Sequence, residues 1–178
     1  MSNLLQGVSV YLIGMMGAGK TTVGRQLAKD LNYRFIDTDK TIETIAKQPI
    51  SEIFATQGEA YFRNLETQVL GELSVYTRSV ISTGGGIITE QINWSYLRDG
   101  LVVWLDVDLE ILKQRLSHDK TRPLANKLES LLKSRRALYA QADLAIAINS
   151  NLPPAKVSAK IIEAIPTVLK SEAKLDRN

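Results

Sequence analysis

A chain of 178 residues with 44% hydrophobic and 23% charged positions predicts one soluble globular domain, long enough to bury a full core. It has no cysteine, which excludes disulfides, thiolate zinc sites and cysteine nucleophiles. No apolar run reaches the ~18–20 residues needed to span a bilayer, and a net charge of +3 suits a small polyanionic ligand better than nucleic acid.

No basic region precedes the first apolar stretch, so a signal peptide is not expected and the cytoplasm is the expected compartment. The first predicted strand is the β-branched run Val8–Ile13, and Gly-Met-Met-Gly-Ala-Gly-Lys-Thr follows it directly at 14–21. This is a G-x-x-x-x-G-K-[ST] phosphate loop in its proper place, after a strand and before a helix over Thr22–Leu31. Gly14, Gly17 and Gly19 let the backbone approach a polyphosphate, while the helix N-terminus aims N–H donors at it. Lys20 is placed to reach the β/γ oxygens and the Thr21 hydroxyl to meet Mg²⁺. An ordinary glycine turn is the bland alternative.

The second strand, Arg34–Ile36, runs into Asp37-Thr38-Asp39. In extended chain the two aspartates point the same way. One could hold the Mg²⁺ water shell while the other orients an attacking hydroxyl. The competing reading makes Asp39 an N-cap for a helix beginning near Lys40. A long helical region then spans about Asp39 to Tyr76, with periodic apolar residues over Glu59–Ser74. Within it Arg63 and Glu66 lie i, i+3 at the margin of the Phe62, Leu65, Val69, Leu73 stripe. They form either a surface ion pair or an oriented fork for a carboxylate.

After the third strand, Ser79–Ser82, come Thr83 and the glycines Gly84, Gly85 and Gly86. The triplet has no packing use in this reading and predicts a backbone held close to a ligand, or a turn that a Cβ forbids. A strand at Leu101–Leu105, a helix at Leu109–Leu116, a polar segment at Ser117–Lys127, a strand at Leu144–Ile148 and a helix at Ala155–Leu169 complete the alternation. LVVWL and LAIAI are apolar throughout and read as strands buried on both faces. Arg115, Arg122 and Arg135 are spread over the polar segment and its flanks, and Arg122 is placed to close over transferring phosphate. His118 reads as exposed and inert. The alternation predicts an α/β fold, a parallel sheet with helices on both faces, and insertions at the sheet's carboxyl edge where ligands and lids sit.

The set GMMGAGKTT, DTD, FRNLE, TGGG, TRPL and RRALY, in this order from about Val8 to Leu169, resembles the shikimate kinase family. The resemblance implies a P-loop NTPase fold of nucleoside monophosphate kinase type with a five-stranded parallel sheet. It implies a single kinase domain over 1–170, with a substrate-binding insertion at about 39–76, a lid at about 117–127 and a polar tail at 171–178. It further implies that Gly17, Ala18, Gly19, Lys20, Thr21 and Thr22 bind ATP phosphates, that Thr21 and Asp37 serve Mg²⁺, and that Asp39 addresses the shikimate 3-hydroxyl. Arg63, Arg135 and the Gly85 N–H would hold the shikimate ring and carboxylate, with Glu66 steadying Arg63. Arg122 would close from the lid and Arg115 pack near the adenine.

Two departures bear on the site. The family's R-x-P-L-Y reads here as Arg135-Arg136-Ala137-Leu138-Tyr139, which leaves two arginines as candidates, with the register favouring Arg135. The loop Asn149–Pro153 holds no arginine, so no adenine contact is assigned to it. A kinase for gluconate or a nucleoside monophosphate, and a silent ATP-binding regulatory module, are the alternative functions. No membrane or nucleic-acid partner is expected, and a monomer is the family-like default.

Overall fold

The computed structural model describes residues 4–117 and 127–175. Five strands, β1 Val10–Ile13, β2 Arg34–Asp37, β3 Ser79–Ser82, β4 Leu101–Val107 and β5 Leu144–Ile148, form one parallel sheet in the order β2-β3-β1-β4-β5. Their register sets Leu12 beside both Ser82 and Val103. The chain leaves β1 to build one side with β2 and β3, then crosses to build the other with β4 and β5. The carboxyl end of β1 therefore sits where strand order reverses, the place where open parallel sheets bind ligands.

β1 lies at the centre and all four of its residues are buried. The LVVWL stretch of β4 is also fully buried, as its composition predicts. β5 differs from expectation. Leu144, Ile146 and Ile148 are buried, but Ala145 and Ala147 are exposed, because β5 is an edge strand covered on one face only. The alternation of alanine with larger aliphatics carries that period of two.

Helices α1 Lys20–Leu31 and α8 Pro154–Leu175 pack against each other, with Ser158 Oγ donating to Asp30 Oδ2 at 2.6 Å. α8 runs through Leu175, helped by the good helix formers Glu172, Ala173, Lys174 and Leu175. The helical region after β2 is three helices: α2 Thr38–Ala46, α3 Ile50–Thr56 and α4 Gly58–Ser74. Lys47 ends α2 in the left-handed region, Pro49 opens α3, and Gly58, with φ of +84°, opens α4. α4 buries Phe62, Val69, Leu70 and Leu73, each worth about 1.5–3 kcal/mol when fully removed from water. That burial fixes the face on which Arg63 and Glu66 are carried. A short 3₁₀ turn at Ile87–Thr89, α5 Gln91–Leu97, α6 Leu109–Leu116 and α7 Leu128–Tyr139 complete the described elements.

Candidate active site

The phosphate loop leaves β1 through Gly14, whose φ of +143° is strained for any side chain and whose Cβ would stand 2.9 Å from the Leu105 carbonyl. Gly19 caps α1 in the left-handed region, so the helix starts at Lys20 with its N-terminus facing the loop. Lys20 is buried, and its Nζ donates to the Gly14 carbonyl at 2.8 Å and the Met15 carbonyl at 2.9 Å. The ammonium thus lies across the loop.

Thr21 Oγ1 donates to Asp37 Oδ2 at 2.7 Å. Asp37 Oδ1 accepts from the backbone N–H groups of Asp39 at 3.1 Å and Lys40 at 3.3 Å. The N-cap of α2 is therefore Asp37, not Asp39, and the two aspartates do not share an extended segment. β2 ends at Asp37 and Asp39 sits in the first helical turn, because one carboxylate satisfies two orphan donors at the earliest point available. Thr38 is fully buried, and its Oγ1 accepts from the Gly84 N–H at 3.2 Å, tying this corner to the glycine triplet.

On α4, Arg63 Nη1 donates to Glu66 Oε2 at 2.7 Å and Nη2 to Glu59 Oε1 at 3.0 Å. Glu59 lies one turn before Arg63, a second partner, at i, i+4, that the i, i+3 spacing of Arg63 and Glu66 does not reveal. Glu66 is fully buried while Glu59 is exposed, so the fork is gripped at its base and steadied at its rim. Burial pushes the Glu66 carboxyl above the ordinary glutamate range; Arg63 pulls it back and Asp39 adds to the rise. For Arg63, burial disfavours the charge, but Glu66 and Glu59 outweigh it and the net shift is upward.

The glycine triplet does have a packing use. A Cβ on Gly84 would overlap the Glu66 carboxylate and lie 3.0 Å from Asp39 Oδ1; one on Gly86 would overlap the Arg63 guanidinium. None of the three has a left-handed φ. Their small size lets Asp39, Arg63 and Glu66 converge on the backbone.

Helix α7 settles which arginine faces this pocket. Arg135 is 8% exposed, and its Nη1 donates to the Gly85 carbonyl at 3.3 Å. Arg136 is 57% exposed and pairs with Asp106 at 2.9 and 3.3 Å, above the Trp104 ring. Tyr139, which ends the RRALY motif but carries no role in the sequence analysis, stacks on Trp104 with ring centroids 5.8 Å apart and donates from Oη to the Gly85 carbonyl at 2.6 Å.

On the other flank of the phosphate loop, Arg115 Nη1 donates to the Gly17 carbonyl at 3.1 Å and Nη2 to Asn151 Oδ1 at 3.3 Å. A cavity of about 220 Å³ opens there, bounded by Gly19, Thr22, Arg115, Leu152 and Pro154. Asn151 and Leu152 belong to the loop to which no contact could be assigned from sequence. Arg122 and His118 lie outside the described residues, as does nearly all of the segment at about 117–127 expected to form a lid.

Residues 16–166 match the family model described as shikimate kinase. The chain belongs to the shikimate kinase family. It is 53% identical to the shikimate kinase of Rippkaea orientalis, over 98% of this chain and 96% of that one. It is likewise 53% identical to the shikimate kinase of Nostoc sp., over 97% and 99%. Its fold is similar to a solved shikimate kinase from Acinetobacter baumannii in complex with shikimate, with TM-score 0.87 and 40% identity over 92% of this chain and 96% of that one. The five-stranded sheet and phosphate loop of this kinase are thus those of the nucleoside monophosphate kinase type, as the resemblance implies.

Proposed function

We propose that this kinase transfers the γ-phosphoryl group of ATP to the 3-hydroxyl of shikimate, giving shikimate 3-phosphate and ADP. The observation that carries the reading is the meeting of two binding sites at one sheet edge. The phosphate loop at Gly14–Thr21 abuts a pocket in which Asp39, Arg63, Glu66 and Arg135 converge on Gly84–Gly86. Two arginines beside a buried glutamate suit a small carboxylate rather than a nucleobase. The shikimate bound to the Acinetobacter baumannii relative supports the same substrate class.

In this reading Arg63 and Arg135 fork onto the substrate carboxylate, and Glu66 keeps Arg63 from rotating away. Asp39 aligns the acceptor hydroxyl and takes its proton. Lys20 turns from the Gly14 and Met15 carbonyls to the phosphate oxygens, where negative charge spreads in the transition state. The cavity beside Arg115 receives the adenine. Arg122 closes over the phosphates from the lid, a role that rests on the resemblance. The donor set at Thr21 Oγ1 and Asp37 Oδ2, two hard oxygens 2.7 Å apart at the helix N-terminus, fits Mg²⁺. When bound, that ion offsets charge on the β- and γ-phosphates. Among the described residues no helix is long and apolar enough to cross a membrane. We take the enzyme to act in the cytoplasm as a monomer.

Phosphorus NMR of the product formed from ATP, Mg²⁺ and shikimate tests the proposal. The expected result is a phosphate ester coupled to the proton on C3. An ester at another hydroxyl, or no ester, overturns it.

A further inference from the structure

Tyr139 is fully buried at the end of α7, four residues after Arg135, and both side chains donate to the same Gly85 carbonyl. The two bonds are unequal. Tyr139 Oη lies 2.6 Å from the oxygen and Arg135 Nη1 lies 3.3 Å from it. A carbonyl has two lone pairs, so it accepts both, but it needs only one strong donor to be satisfied. We propose that Tyr139 is a positioning residue for acceptor binding, its hydroxyl holding the Gly85 carbonyl so that Arg135 is released to grip the substrate carboxylate. The proposal rests on reading Arg135 as a carboxylate ligand.

Three features suit Tyr139 to this task. Its ring is fixed by the near-parallel stack on Trp104, at 16°, so the hydroxyl has one place to be. Burial pushes that hydroxyl up to about 12, with Arg135 acting against the rise, so it remains a proton donor throughout the working range. Gly85 itself is wedged against the phosphate loop: its Cβ position lies 3.4 Å from the Gly14 carbonyl oxygen and 3.4 Å from the Met16 nitrogen. Tyr139 Oη also approaches Met15 Sδ at 3.6 Å. The hydroxyl therefore fixes a backbone point shared by the acceptor pocket and the phosphate loop. Without it, Arg135 would be the remaining donor to Gly85 among these two, and moving to a substrate would strip the carbonyl of its partner.

The test is the Tyr139→Phe variant, which keeps the ring and its stack and removes only the hydroxyl. Steady-state kinetics should show the KM for shikimate raised about tenfold, the size expected for a lost buried hydrogen bond, with the KM for ATP held within about twofold. In an Arg135→Lys background the same change should add little, because the residue being released is already compromised. An unchanged shikimate KM, an equal rise in both KM values, full additivity with Arg135→Lys, or failure of Tyr139→Phe to fold would overturn the proposal. Wild-type enzyme run alongside separates the two readings: silence with shikimate there discards the substrate assignment rather than the role of Tyr139.

Discussion

Gly86 and Arg63 are packed so closely that a methyl group on the glycine would occupy the guanidinium. The arginine is also held by Glu66 and Glu59 on its own helix, so moving away from the glycine breaks ion pairs at 2.7 and 3.0 Å. Gly86→Ala should therefore act on substrate binding from a distance. We expect the shikimate Kd to rise about tenfold or more, with ATP affinity unaffected, since a misplaced fork loses a charge-assisted contact. Isothermal titration with each substrate checks this. Unaltered shikimate affinity would show that Arg63 does not grip it from this position.

Asp39 Oδ1 lies 3.0 Å from the Cβ position of Gly84, and Asp39 sits in the first turn of α2 without serving as its cap. Asp39→Asn keeps the size and should leave α2 intact. Loss of a general base lowers turnover by about 10²–10⁴, while ATP binding should survive. Equal loss of both in single-turnover and binding measurements would remove Asp39 from the chemistry.

Arg135 and Arg136 are neighbours in sequence with opposite surroundings, one buried on Gly85 and the other half out on Asp106 and Trp104. Arg135→Ala should raise the shikimate KM by about 10–100-fold. Arg136→Ala should leave that KM alone and lower unfolding free energy by about 0.2–1 kcal/mol, the range for an exposed pair. Kinetics and urea denaturation of the two variants would contradict the assignment if their effects were exchanged.

Glu66 gives a pH signature. Its carboxyl is raised in the fold, burial being the main cause, above the ordinary value of 4.5. A raised acid contributes stability that is fully present below the ordinary value and is lost as pH rises through the folded one. Relative to Glu66→Gln, which has no titrating group there, the wild type should lose stability as pH climbs from 4.5. Denaturant melts at several pH values would show it. A constant difference, or the opposite trend, would mean that Arg63 outweighs burial.

The parts of this molecule legible in sequence are those set by neighbours along the chain. Val10–Ile13 followed by Gly14–Thr21 needs only local apolar pattern, glycine spacing and a helix start. Arg63 and Glu66 fall on one face because a helix turns every 3.6 residues, and their pairing follows. What depends on tertiary approach was hidden. The use of Gly84 and Gly86 appears only when α4 meets the loop after β3. The one-sided burial of β5 depends on its place at the sheet edge. The roles of Glu59 and Tyr139 depend on what stands opposite them. The shift of the N-cap from Asp39 to Asp37 turned on where β2 stops, a boundary that two aspartates one residue apart leave ambiguous.

The most direct measurement is ADP release in a coupled assay with ATP and Mg²⁺, comparing shikimate, gluconate, nucleoside monophosphates and no acceptor. The account predicts turnover with shikimate alone, since in the proposed function Arg63 and Arg135, both beside the glycine triplet, hold its carboxylate while Asp39 aligns one hydroxyl. Turnover with another acceptor and none with shikimate would contradict it.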